Sequence, residues 1–172
     1  MIIRYKNRIR MEWIEYKNHR YPLFQSLGNA SQFAIPYAKH YCKGIGYDIG
    51  YGNEEWKYPG AIGIDSKNND GYDANHLPDG MVDYIYSSHC LEHVECWYDT
   101  LEYWLSKIRE GGILFMYLPD ISNVYWHPWN NRKHKTVLTR EIMECFLKEH
   151  DINKYMISEV DLNSSFMVIV EK

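Results

Sequence analysis

The chain has 172 residues, enough for one domain with a sizeable core. A formal net charge of -4 argues against a general nucleic-acid binder, and four cysteines without a C-x-x-C spacing fit reduced thiols better than a disulfide framework. No stretch approaches the roughly 20 apolar residues of a membrane span, and the basic N-terminus is not followed by a long apolar run, so the expected location is cytoplasmic.

The charge is uneven. Residues 1–20 carry six Lys and Arg against two Glu, a net +4 that leaves -8 on the remainder. Such an arm can meet an anionic partner, although a solvated face is the simpler reading. Within it, residues 2–13 alternate apolar and charged side chains, which predicts a strand with Lys6-Asn7 as the tip of a small hairpin, broken at Tyr21-Pro22. A hairpin needs a surface to lie on, either its own domain or a partner subunit, and the second case would give a homodimer. A helix is expected from Asn29 or Ser31 to about Tyr41, with Ser31 as N-cap and Phe33, Ala34, Tyr37, Ala38 and Tyr41 on one face. Residues 1–42 thus read as a hairpin and helix extension of a single domain spanning 1–172.

The segment Lys43–Asp65 organises the rest. It reads as a strand (Ile45–Ile49), a glycine turn (Gly50-Tyr51-Gly52), a short helical or irregular turn, and a second strand (Ala61–Ile64) closed by Asp65. Two glycines one residue apart let backbone approach a ligand without a Cβ in the way, and an acid ending the next strand can accept hydrogen bonds from a ribose diol. The polar run after Asp65 leaves no room for a full helix, so a third strand near Tyr72–Ala74 is expected to be short and at an edge. Met81–Ser87 is a strand of β-branched and aromatic residues, followed by a helix from about Trp97 to Arg109 that Gly111-Gly112 stops. Ile113–Leu118 is a buried strand ended by Pro119. After an aromatic loop, Thr139 caps a helix over about Arg140–Glu149. The last two strands, Lys154–Glu159 and Ser165–Val170, are joined by a short turn and must be antiparallel to each other. Alternating strands and helices define an α/β protein with a mainly parallel sheet.

With Asp48-Ile49-Gly50-Tyr51-Gly52, Asp65, the run DANHLPDGMVDYIYSSHCLEHV and REGGILFMYLPD in order, residues 43–172 resemble the class I S-adenosylmethionine-dependent methyltransferases, more narrowly the type-11-like group. The resemblance implies a compact Rossmann-like sandwich with an antiparallel last strand, S-adenosylmethionine as cofactor, and a small-molecule or saccharide acceptor methylated on O or N. It places Asp48 in the cofactor motif and the turn Gly50, Tyr51 and Gly52 under the methionine part. Asp65 would bind the ribose hydroxyls, with Ser66 beside the adenosine. Asp73 would face the adenine amino group with Ala74 and Asn75 nearby, and Ser87, Ser88 and His89 would lie below the sulfonium. Glu54 stands where a third glycine is expected, and the first cofactor helix is shortened. Those departures support an alternative, a degenerate methyltransferase fold serving as a binding module. The missing third glycine and long helix also disfavour a nicotinamide dehydrogenase.

Methyl transfer needs an aligned acceptor and exclusion of water, and an acceptor hydroxyl needs a base, for which His89, His127 and His134 are the candidates. His93 reads as structural, pairing with backbone or a carboxylate. In the loop YWHPWNNRKHK, Tyr125, Trp126 and Trp129 can stack on a sugar or base, and Arg132, Lys133 and Lys135 can meet an anionic group. His89-Cys90-Leu91-Glu92-His93 also matches the H-x-x-E-H zinc signature, but it directly follows a buried strand instead of sitting in a long helix, so no metal is expected. Ser66–Leu77 resembles a calcium loop in composition only, because its twelfth position is Leu77 where a bidentate Glu is required.

Overall fold

Tyr84, Ile85, Tyr86 and Ser87 are all buried, so the strand that carries them must be covered on both faces. The computed structural model describes residues 13–16, 18–22, 28–68 and 70–172. Its elements are β1 (Trp13–Tyr16), β2 (His19–Pro22), α1 (Ser31–Tyr41), β3 (Gly46–Ile49), β4 (Ile62–Ile64), β5 (Val82–Ser88), α2 (Trp97–Lys107), β6 (Ile108–Pro119), α3 (Arg140–Glu149), β7 (Tyr155–Ile157) and β8 (Ser165–Glu171). Strands β1 and β2 form an antiparallel pair in which Tyr16 faces His19. The expected hairpin tip at Lys6-Asn7 lies outside the described residues.

The main sheet has six strands in the order β4-β3-β5-β6-β8-β7. Strands β4, β3, β5 and β6 are mutually parallel, and β8 runs antiparallel to both β6 and β7. The result is the mainly parallel sheet with an antiparallel last strand that the sequence predicts. The period of two along the strands sorts side chains into two cores. Tyr84, Tyr86, Phe115, Tyr117, Met167 and Ile169 pack with Ala34 and Ala38 of α1, while Ile85, Leu114, Met116, Phe166 and Val168 pack with Leu101 and Trp104 of α2 and Phe146 of α3.

Helix α1 departs from expectation in detail. Its N-cap is Ala30, which makes no side-chain cap bond, and Ser31 is a buried first-turn residue. The inward face is Ser31, Ala34 and Ala38, whereas Tyr37 is 57% exposed. Small residues are needed there because stacked rings already fill the space, with Tyr86 and Phe115 centroids 5.6 Å apart. In α3, Thr139 caps as predicted, its Oγ1 accepting from Ile142 N at 3.2 Å.

Two further expectations are corrected. Gly111-Gly112 does not stop α2; the helix ends at Lys107, because Ile108 is extended, fully buried and paired with Val82. The glycines lie inside β6, where the pairing with β5 shifts register, and a Cβ on Gly112 would sit 2.7 Å from Asp83 O. Near Tyr72–Ala74 there is no strand, only an isolated bridge between Asp73 and His76. The loop is instead strapped to α2. Trp104 Nε1 donates to Ala74 O at 2.7 Å, Leu77 N donates to Tyr103 Oη at 2.9 Å, and Lys107 Nζ donates to Pro78 O at 3.2 Å.

Trp104→Phe keeps most of the ring volume and removes the donor, leaving the Ala74 carbonyl unpaired. It is expected to cost about 1–3 kcal/mol in stability by chemical denaturation. An unchanged midpoint would show that this strap does not hold the loop.

Candidate functional site

The parallel strands end together, and their carboxyl ends border a cavity of about 930 Å³. Gly50, Tyr51 and Gly52 after β3, Asp65 and Ser66 after β4, and Ser88 and His89 at the end of β5 all line it. Asp73 and Ala74 line it from the strapped loop, and His134 from the segment after β6. Asn29 and Ser31 at the start of α1 close one side. Asp48, Ser87 and His127 are not on it, and Ser87 Oγ donates to Ile49 O within the sheet. Asp48 is fully buried beneath the turn, and His127 turns away, its Nε2 on the Ile121 carbonyl at 2.5 Å and its ring against Trp129.

The turn is held by backbone geometry. Gly50 and Gly52 have φ of 78° and 73°, and a Cβ on Gly50 would meet Cys90 Sγ at 2.3 Å, so glycine is required at that position for both reasons. Gly50 N donates to Ile64 O at 2.7 Å and ties the turn to β4. Gly52 N donates to Asp65 Oδ2 at 2.9 Å and Lys67 N donates to Asp65 Oδ1 at 3.0 Å. Each Asp65 oxygen therefore retains lone-pair capacity toward the cavity. At Asp73, burial raises the carboxyl, but bonds from Asn75 N–H and His76 outweigh it and hold it below the usual range.

The end of β5 carries backbone strain, since His89 has φ of 50°. Its Nε2 lies 3.0 Å from Ser165 Oγ, and its ring packs edge-on to Trp126 with centroids 4.7 Å apart. Ser88 Oγ is buried without a hydrogen-bond partner. Behind the wall sits Glu92, fully buried, with His89, His93 and His134 around it. Burial pushes the Glu92 carboxyl up to about 8. Burial, reinforced by the neighbouring imidazoles, pushes His89 down to about 3 and His134 to about 4. Burial also lowers His93, against hydrogen bonds to the Lys133 and His89 carbonyls that favour its protonated form.

Sequence reasoning left Glu92 without a role and read His93 as structural; His93 borders the cavity. It also missed Asn163, which reaches the cavity from the turn before β8. No local signal marks these, because the partners are distant in sequence. Arg132, Lys133 and Lys135 form a basic lip. Trp126 is buried in the wall, while Trp129 is 68% exposed.

The strand order and cavity position are those of the class I S-adenosylmethionine-dependent methyltransferase fold. Similar solved structures include a SAM-dependent methyltransferase from Archaeoglobus fulgidus, with TM-score 0.60 and 17% identity over 86% of this chain and 94% of that one. A SAM-dependent methyltransferase from Thermotoga maritima gives 0.62 at 14% identity over 87% and 92%. PigF, solved with SAH, gives 0.60 at 16% identity over 87% and 58%. No protein-family model and no curated protein matches the chain.

Asp48 yields a pH test. Burial pushes its carboxyl up to about 7, against one bond accepted from Tyr58 N at 2.6 Å, and its Oδ1 has no partner. A carboxyl raised on folding contributes stability that is full below its ordinary range and is lost as pH rises through about 7. The melting temperature of Asp48→Asn relative to wild type should therefore improve between about pH 5 and pH 8. A pH-independent difference would mean that Asp48 titrates normally.

Proposed function

We propose that the protein is an S-adenosylmethionine-dependent methyltransferase acting on a small-molecule or saccharide acceptor, by O- or N-methylation. The observation that carries this reading is the Asp65 carboxylate, held by Gly52 N–H and Lys67 N–H at a strand end on the rim of the cavity. The cavity volume of about 930 Å³ suits a nucleoside-sized cofactor together with a small acceptor. Gly50 and Gly52 present backbone where a side chain would intrude, and Asp65 presents acceptor oxygens suited to a ribose diol. When bound, the cofactor supplies an electrophilic methyl group on a positively charged sulphur.

The chain's own residues then orient and enclose. Asp65 holds the sugar, Ser66, Asp73 and Ala74 lie on the adenosine side, and Asn29 and Ser31 lie where an amino-acid tail would end. Trp126 and Ser88 border the region where an acceptor would meet the methyl group, and the lip of Arg132, Lys133 and Lys135 favours an acceptor with an anionic group. His89 and His134 remain on the acceptor side. His127, off the cavity, drops out as a base. A homodimer through the N-terminal hairpin and a cytoplasmic location stay part of the proposal; among the described residues, no helix is long and apolar enough to cross a membrane.

The binding-module alternative draws on the 3-10 turn Glu54–Trp56, which stands in place of a cofactor helix. Calorimetry with S-adenosylhomocysteine separates the two. The methyltransferase reading expects binding, and Asp65→Ala should weaken it by about 1.5–3 kcal/mol, roughly 10- to 150-fold in Kd. A folded wild type that ignores millimolar ligand would favour the module. Unchanged affinity in a folded variant would place the ribose elsewhere.

A further inference from the structure

Neither oxygen of the fully buried Glu92 has a hydrogen-bond partner. Three imidazole nitrogens face its Oε1: His89 Nδ1 at 3.8 Å, His93 Nε2 at 3.8 Å and His134 Nε2 at 4.0 Å. In His93 and His89 the other nitrogen is already engaged, and the His134 ring also meets a backbone carbonyl. His93 Nδ1 lies 2.8 Å from Lys133 O, and His134 bonds the Trp126 backbone carbonyl. His89 Nε2 lies against Ser165 Oγ, whose own proton goes to Asn163 O. A carbonyl can only accept, so a nitrogen engaged by one carries the N–H, and in the neutral ring the nitrogen facing Glu92 then carries a lone pair. The serine, having given its proton away, imposes the same tautomer on His89.

With neutral rings and an ionised Glu92, acceptors therefore converge on one point. A shared proton does not resolve this, because a hydrogen bond would bring a pair to about 2.7–3.0 Å. A cation does. We infer that Glu92, His93 and His134 bind a divalent transition-metal ion, with zinc the first to test. The ligand atoms of the three residues all lie within 4.8 Å of one another. Ligands about 2.1 Å from a tetrahedral ion stand about 3.4 Å apart, so closure needs small side-chain movements. The imidazole and carboxylate set suits zinc or its neighbours over magnesium or calcium, which prefer oxygen. Backbone carbonyls already orient two of the rings, the arrangement that ligating histidines use.

The spacing H-x-x-E-H thus marks a metal site after all, but with different membership. Glu92 is a ligand, and His134, 41 residues beyond His93, completes the set. Because His93 and His134 border the cavity, a remaining coordination position opens toward the acceptor and fits an acceptor oxygen. That last role rests on the methyltransferase reading; the site itself does not.

To test it, the full chain, free of any polyhistidine tag, is stripped with chelator and titrated with Zn²⁺ by calorimetry and with Co²⁺ by visible absorption. One equivalent should bind, with the cobalt bands of a low-coordinate nitrogen and oxygen site, and Zn²⁺ should raise the melting temperature. Glu92→Gln and His134→Asn should each weaken binding by at least about tenfold, while His127→Asn should bind as wild type does. His93→Asn, at a partly exposed position, gives a third variant should the buried ones fail to fold. A folded wild type without stoichiometric binding overturns the proposal, as does unchanged affinity in the folded ligand variants. S-adenosylhomocysteine titrated into the metal-free chain reports separately on the cofactor reading.

Discussion

Two backbone N–H groups donated to one carboxylate fix the shape of the cavity. Gly52 and Lys67 both bond Asp65, and Gly50 bonds back to Ile64, so the ends of β3 and β4 are locked as a unit. Nearly dry carboxylates are costly unless donors surround them. Asp65 stands at the strand tip, where a turn supplies those donors and the cavity supplies room. Asp48, inside the neighbouring strand, receives a single backbone donor and is fully buried, and its carboxyl is driven upward. Two acids on neighbouring segments are thus fitted to different tasks by position, one inside β3 and one just past the end of β4.

Compactness has a matching cause on the opposite side of the sheet. A parallel sheet must be covered on both faces, yet among the described residues α1 is the single α-helix on the face that carries Tyr84, Tyr86, Phe115 and Tyr117. Aromatic rings replace the missing helical mass. Tyr58, from the connection between β3 and β4, packs 5.5 Å from Tyr84 and 5.0 Å from Tyr86, and its hydroxyl donates to Cys42 O at 3.0 Å. The abundance of tyrosine in the sequence is thereby explained in part as packing and need not be read as a ligand surface.

What the sequence made legible follows the range of the forces involved. The β3-turn-β4 unit, the buried β5 and the Thr139 cap depend on near neighbours and were readable from period, glycine spacing and capping chemistry. The end of α2 was not, because Gly111-Gly112 carries the same local signature as a helix stop, and pairing of Ile108 with Val82 across the sheet decides the matter. The inward face of α1 was misread for a similar reason: Tyr37 is more apolar-looking than Ser31, but the facing ring stack leaves depth only for Ser31, Ala34 and Ala38. Of the site residues, those at strand ends fell on the cavity, whereas His127 did not, since a loop position does not fix which way a ring turns.

The environment of Glu92 closes the physical argument. Leaving one buried polar group unpaired costs about 1–3 kcal/mol, and an unpaired buried charge costs more. Proton shifts that neutralise the carboxyl and the imidazoles reduce the charge penalty but leave the hydrogen bonds unmade at 3.8–4.0 Å. The neighbourhood is otherwise well satisfied: Lys135 N and Thr136 N both donate to the Glu92 carbonyl, which pins the loop bearing His134 against the end of β5. Backbone thus brings the loop to Glu92 while the side chains there remain unmet, and the left-handed His89 turns a third ring toward the same point. A fold that supplies donors at Asp65 and withholds them at Glu92 leaves a place for the cation inferred above, and such an ion would stand at the wall of the cavity that Asp65 frames from the other side.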